Sequence, residues 1–234
     1  MPDCRQLNQV FVQSQPAEIL SWALRHYWPD IAISSSFQTQ SLPLLHMAIQ
    51  VQPQVPVLFL DTGYHFTETL AFRDRIAAEW NLNLQIIRTA LSRHEVHARH
   101  GAELYLHNPD LCCFIHKVEP MRIALQKYRA WISGIVPDQT ASRMAMQVFE
   151  PWEHLVRIHP LAHWSRREVF SYIDQHQLPP HPLFARGYLS IGCTPCTQPV
   201  SPGSGERSGR WGFTGKTECG LHTQLRGPIS HEPS

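Results

Sequence analysis

The sequence predicts an α/β domain in which helices cover a parallel sheet, and three features carry that expectation. Short apolar runs recur along the first two-thirds of the chain, each closed by hydroxyl, acidic or glycine residues. Between them lie stretches with helical spacing, the alternation that βαβ units produce. With 43% apolar and 17% charged residues in 234, the chain can build a sizeable core and is not composed like a disordered one.

In chain order, Ala17–Trp28 reads as an amphipathic helix and Ile31–Ser34 as a short buried strand running into Ser34-Ser-Ser-Phe37. Ser41–Val51 reads as a helix, because Pro43 falls in its first turn, where a missing N–H is harmless. Val55–Leu60 is an apolar strand closed by Asp61-Thr62-Gly63, Thr67–Trp80 has helical spacing, and Leu84–Arg88 is a third strand. Lys117–Arg129 reads as a helix followed by the strand Ala130–Gly134. Leu155–Pro160 is a fifth strand, and Ser165 caps a helix running to His176. Beyond Leu178, prolines, glycines and cysteines crowd into irregular sequence. A body of residues 1–200 and a mobile C-terminal segment of 201–234 are therefore expected.

Composition narrows the function. Lys and Arg total 20 against 19 Asp and Glu, which argues against a nucleic-acid partner held by bulk charge. No apolar run reaches the ~18 residues that a membrane span needs. Met1–Gln15 shows no basic region followed by an apolar one, so a cytoplasmic protein is expected.

Three constellations carry chemistry. The loop Ser34–Ser41 enters a helix at a strand end, where free N–H groups and three consecutive hydroxyls suit an anion. It lacks both the Walker pattern and the Ser-Gly-Gly-x-Asp-Ser loop, so it suits a nucleotide that is not cleaved at a pyrophosphate. Cys112-Cys113 and Cys193-Thr-Pro-Cys196 supply four thiolates, enough for one zinc ion or one iron–sulfur cluster. Adjacent cysteines reach a single ion awkwardly, which puts iron–sulfur ahead of zinc; a vicinal disulfide is the bland alternative. In the tail, Lys216 and His222 flank Cys219, and nearby positive charge raises the thiolate fraction of a cysteine. Arg207 and Arg210 supply guanidinium forks that match phosphate or sulfate oxygens.

The ordered set Cys112-Cys113, Lys117-Val-Glu-Pro-Met121, Gly192-Cys-Thr-Pro-Cys-Thr197, Arg207 with Arg210, and Lys216-Thr-Glu-Cys-Gly-Leu-His222 resembles the assimilatory adenylyl-sulfate reductases. Their broader family includes the phosphoadenylyl-sulfate reductases. The resemblance runs from about Ile33 to His222 and implies an ATP-pyrophosphatase-like (adenine nucleotide alpha hydrolase-like) fold. It implies adenosine 5′-phosphosulfate as substrate in sulfate assimilation and cysteine biosynthesis. The adenosine would lie over Ser34, Ser36, Phe37, Leu60 and Gly134. The phosphosulfate would be held by Lys117, Arg143, Arg207 and Arg210, with His222 following the nucleophile. The Cys219 thiolate would attack sulfur and expel AMP, and reduced thioredoxin would release sulfite from the resulting S-sulfonate. A [4Fe-4S] cluster on Cys112, Cys113, Cys193 and Cys196 would sit near the substrate without carrying the electrons.

Two departures from the family pattern are visible. Gly134-Ile-Val-Pro-Asp-Gln-Thr140 lacks the usual basic pair after the strand-end glycine, and the Trp-rich stretch after Arg210 is reduced to Trp211-Gly-Phe-Thr214. Weaker substrate affinity or a shifted substrate would follow. Ser34–Gln40 and Leu60–Tyr64 are as similar to the cluster-free phosphoadenylyl-sulfate branch, so that nucleotide is the alternative substrate. A non-enzymatic iron–sulfur sensor would keep the four paired cysteines but would not need Cys219 between Lys216 and His222. An ATP-activating enzyme would need the pyrophosphate loop that residues 34–41 do not provide. The sequence leaves homo-oligomerisation open.

Overall fold

A computed structural model describes residues 3–136, 146–201, 203–213, 216 and 218–223, with the side chains of His222 and Thr223 excluded. Its centre is a six-stranded sheet of order β3-β2-β1-β4-β6-β5. The strands are β1 (Ile31–Ser34), β2 (Val57–Leu60), β3 (Leu84–Ile87), β4 (Ala130–Ser133), β5 (Phe149–Trp152) and β6 (Leu155–Ile158). β1, β2, β3, β4 and β6 run parallel, and β5 closes one edge antiparallel to β6.

Both faces of the sheet are buried, and the two-residue period of a strand assigns each side chain to one of them. Ile31, Ile33, Val57, Phe59, Ala130, Ile132, Val156 and Ile158 face one core, shared with α2 (Pro16–Tyr27) and α3 (Leu42–Val51). Ala32, Leu58, Trp131 and Leu155 face the other, against Val118, Met121 and Leu125.

Most predicted elements form within a few residues of their expected bounds, for local reasons. Pro16 opens α2, where the Gln15 N–H donates to the Glu18 carboxylate at 2.8 Å. Ser165 and Glu168 cap the helix Arg166–Gln175 reciprocally at 3.3 and 2.7 Å. The α4 helix spans Thr67–Glu79.

The helix predicted over Lys117–Arg129 is displaced. It begins with α7 (Pro109–Cys113), where the Asn108 side chain accepts from the Leu111 N–H at 3.0 Å. A π-helical turn over Phe114–Val118 follows, and α8 (Glu119–Leu125) ends it. Such wide turns are frequent at functional sites, and this one carries Lys117 just after the cysteine pair.

Among the short helices that the sequence reading missed are α1 (Cys4–Val10), α5 (Arg93–His100), α6 (Leu104–His107), α7 and the turn Gly220–Thr223; it also missed strand β5. β5 contains Pro151, which a sheet tolerates at an edge such as this one. No described helix is long and apolar enough to cross a membrane.

Candidate active site

Strand order reverses direction at β1. β2 and β3 extend to one side and β4 and β6 to the other, so the crevice beyond the carboxyl ends of β1 and β4 is the topological switch point. A cavity of about 170 Å³ opens there. Ser34, Ser35 and Ser36 from the end of β1, Leu60 from β2, and Ser133 and Gly134 from β4 line it. Lys117, Arg207, Arg210, Glu218 and Cys219 complete the wall.

The serine hydroxyls are already engaged. Ser34 Oγ accepts from Trp131 Nε1 at 2.9 Å, Ser35 Oγ accepts from the Phe37 N–H at 3.2 Å, and Ser36 Oγ lies 3.5 Å from Ser41 Oγ. Phe37 does not line the cavity. It sits at φ +55° with its ring buried against Phe59, so its contribution is to turn the backbone of the loop.

The tail segment is seated on the cysteine loop. Thr197 and Arg210 form a bridge, the Gln198 N–H donates to Gly209 O at 2.8 Å, and the Trp211 N–H donates to Cys196 O at 3.1 Å. A Cβ at Gly209 would overlap the Gln198 carbonyl, so this approach requires glycine. Trp211 is buried, and the guanidinium carbons of Arg210 and Arg207 lie 4.3 and 5.4 Å from its ring centroid. Both guanidinium groups also reach Ser190 Oγ, at 3.3 Å from Arg210 and 3.5 Å from Arg207.

A second, smaller cavity of about 10 Å³ adjoins the first. Cys112, Cys113, Cys193 and Cys196 line it with Tyr64, Tyr105, His116 and Lys117. Lys117 and Cys193 therefore belong to both cavities. All six cysteines are free thiols, and among the described residues no group of three or more His, Cys, Asp or Glu is arranged around a single metal ion. Burial and the neighbouring Cys193 and Cys196 push the Cys112 thiol up to about 12, and burial raises Cys196 in the same direction.

Cys219 and Cys113 share a hydrogen bond, which lowers the former well below the usual thiol range and raises the latter. Burial opposes the Cys219 thiolate, while Lys117, the Leu221 amide and Arg210 favour it. Burial also opposes charge on Lys117, but its proximity to Cys193, Cys219 and Cys113 outweighs that and holds the ammonium above its ordinary range. Lys216, expected to act on Cys219, pairs with Asp110 at the start of α7, and its charge also favours the thiolates of Cys112, Cys113 and Cys196.

The family model for the phosphoadenosine phosphosulfate reductase domain matches residues 30–199. The chain belongs to this reductase family. A curated relative from Mesorhizobium japonicum, named adenosine 5′-phosphosulfate reductase, is 43% identical over 92% of this chain and 85% of its own length. One from Gloeobacter violaceus, named phosphoadenosine 5′-phosphosulfate reductase, is 41% identical over 88% of each chain. The crystal structure of phosphoadenylyl-sulfate reductase from Candida auris, a phosphate complex, superposes with a TM-score of 0.72. It is 30% identical and covers 84% of this chain and 96% of its own. The FMN adenylyltransferase of Candida glabrata, 14% identical with a TM-score of 0.57 over 86% of this chain and 76% of its own, shares the fold alone.

Of the residues that the family resemblance singled out, Ser34, Ser36, Leu60, Gly134, Lys117, Arg207, Arg210 and Cys219 meet in one cavity. Arg143 lies outside the described residues, as do positions 137–140 of the departed loop and the side chain of His222. Sequence reasoning missed Thr62, His65, His116 and Glu218. His65 lines the larger cavity, its Nε2 lies 2.8 Å from Leu60 O, and burial lowers its proton affinity. Glu218 beside Cys219 and His116 between Cys113 and Lys117 had a local signal available, whereas the contact of Thr62 with Cys193 is distant in sequence.

Proposed function

We propose that the chain reduces adenosine 5′-phosphosulfate to sulfite and AMP with reduced thioredoxin in the cytoplasm, as a step of sulfate assimilation. One observation carries this reading: Cys219 and the cations Lys117, Arg207 and Arg210 line the same cavity as the strand-end loops of the switch point. The name of the Mesorhizobium relative supports the substrate, and the name of the Gloeobacter one keeps 3′-phosphoadenylyl sulfate as a second reading.

In this mechanism the adenosine occupies the crevice beside Leu60 and Gly134, and its phosphosulfate faces the three cations. The Cys219 thiolate attacks the sulfate sulfur. An S–S bond forms, the S–O bond to phosphate breaks, and AMP leaves with that electron pair, its charge met by the cations. A thiolate of reduced thioredoxin then attacks Cys219 Sγ and displaces sulfite. The second thioredoxin thiol resolves the mixed disulfide, which restores the Cys219 thiol and leaves thioredoxin oxidised.

The donor set suits a [4Fe-4S] cluster. Four thiols wall one cavity, and His116, only 3% exposed, has no hydrogen-bond partner for either ring nitrogen among the described residues. A buried imidazole N–H without an acceptor is costly, and a metal-bound sulfur at this place would accept it. When bound, the cluster would supply a clamp joining α7 to the Cys193–Cys196 loop beside the reacting cysteine. With Cys113 engaged as a ligand, its proton would not be available to Cys219, whose thiolate would then rest on Lys117, Arg210 and the Leu221 amide.

The test is sulfite release from both nucleotides with reduced thioredoxin, alongside the iron and labile sulfide content of anaerobically isolated protein. Preferential turnover of adenosine 5′-phosphosulfate is expected. Turnover of the 3′-phosphorylated nucleotide alone would favour the second reading, and turnover of neither would overturn both.

A further inference from the structure

Glu218 is the one carboxylate among the described residues lining the larger cavity, and it sits where the proposed substrate needs positive charge. It is 5% exposed. Its Oε1 accepts from Arg207 Nη2 at 2.9 Å and from the Cys219 N–H at 3.0 Å. A guanidinium and a backbone amide converging on one oxygen are the donors that bind a phosphate or sulfate oxygen equally well.

From this geometry we infer that Glu218 is a specificity-determining residue: its carboxylate occupies the anion subsite at Arg207, and a nucleotide binds only if its phosphosulfate displaces it. The inference rests on the substrate reading above and adds a competitor to it. Two buried anions cannot share these donors, because like charges at short range repel strongly in a medium of low dielectric. A ligand without the anion has nothing to set against the Arg207–Glu218 pair and gains no contact there. Displacement also frees the N–H of Cys219, so arrival of the anion is coupled to release of the backbone that carries the nucleophile.

The experiment uses the full-length, anaerobically isolated protein in a Cys219→Ser background, so that binding is read without reaction. Affinities for adenosine 5′-phosphosulfate and for adenosine are measured by calorimetry with Glu218 intact and with Glu218→Gln. Removing the competing charge should tighten phosphosulfate binding about tenfold, a difference of ~1.4 kcal/mol, and leave adenosine within about twofold. Glu218→Asp, which keeps the charge, should stay closer to the parent. If the Gln variant does not fold, Glu218→Ala is expected to move in the same direction. Equal or weaker phosphosulfate binding by the neutral variants, with adenosine still bound, overturns the inference alone. Failure of the Cys219→Ser parent to bind phosphosulfate overturns the substrate reading and this inference with it.

Discussion

The hydroxyl of Thr62 lies 3.3 Å from the sulfur of Cys193, linking the loop after β2 to the second cysteine pair across 131 positions of sequence. The Thr194 N–H donates to Tyr64 O at 2.7 Å on the same seam. The wall of the nucleotide cavity and the wall of the cysteine cavity are thereby one surface. Thr62→Val keeps the shape and removes the hydroxyl, so it should cost about 0.5–1.5 kcal/mol and lower Tm by a few degrees. It should also reduce the iron retained after gel filtration. An unchanged Tm and iron content would show that the contact contributes nothing.

Cys193→Ser removes a thiolate from the cysteine cavity, and loss of iron and labile sulfide together is the expected outcome. Stoichiometric zinc without sulfide in the parent protein would rule out the cluster. Cys4 is buried elsewhere in the fold, so Cys4→Ser should leave metal content unchanged.

Cys219→Ser should abolish sulfite formation while nucleotide binding persists. Incubating the parent protein with adenosine 5′-phosphosulfate, without thioredoxin, should add one sulfonate, which peptide mass spectrometry should locate on Cys219. An adduct on another cysteine would overturn the mechanism.

Lys117→Ala and Arg210→Ala each remove a charge that in the proposed mechanism meets the anion, and a loss of ~1.5–3 kcal/mol, or about one to two orders of magnitude in kcat/KM, is expected. Arg207→Ala differs, because it leaves the Glu218 carboxylate buried without its guanidinium. That variant should lose thermal stability as well as activity, and comparing the three melting curves checks the distinction.

Acid should destabilise the fold through its buried histidines. Burial lowers His181 from an ordinary 6.5 to about 4, and it lowers His65, His116 and His159 in the same direction. The Leu183 N–H donates to His181 Nδ1 at 3.1 Å, so the ring proton sits on Nε2 and faces Thr69 Oγ1 at 3.0 Å. A second proton would meet a donor. Above pH 6.5 the neutral ring is favoured in both folded and unfolded chains, and stability is full. Between pH 6.5 and about 4 the unfolded chain binds a proton that the folded one refuses, so His181 alone should cost about 3 kcal/mol by the lower limit. Urea unfolding across this range should show a shallower pH slope in His181→Asn, and an identical slope would exclude His181 as the source.

The strands of the parallel core were legible because burial on both faces leaves short continuous apolar runs, as in Ile31, Ala32 and Ile33, set between stretches of helical spacing. The α5 helix carried a signal too, since Ser92 and Glu95 cap it reciprocally at 3.2 and 2.7 Å, but the polar character of Arg93–His100 hid it. β5 was not legible, because Pro151 argues against a strand until an edge position is known.

For the site, the chain's residue types and spacing showed which groups are available: four paired thiols, Cys219 apart from them, and a set of basic side chains in the tail and before α8. Which charges act on which thiol follows from the folded arrangement. Lys216, three residues from Cys219, pairs with Asp110 and acts on Cys112, Cys113 and Cys196, whereas Lys117 approaches Cys219 from about a hundred positions away. Electrostatic effects and hydrogen bonds depend on distance through space and on burial, and neither is encoded in the spacing of residues along the chain. The same holds for Glu218: its place beside Cys219 is a fact of sequence, but its hold on Arg207 exists only once the tail is folded onto the cysteine loop.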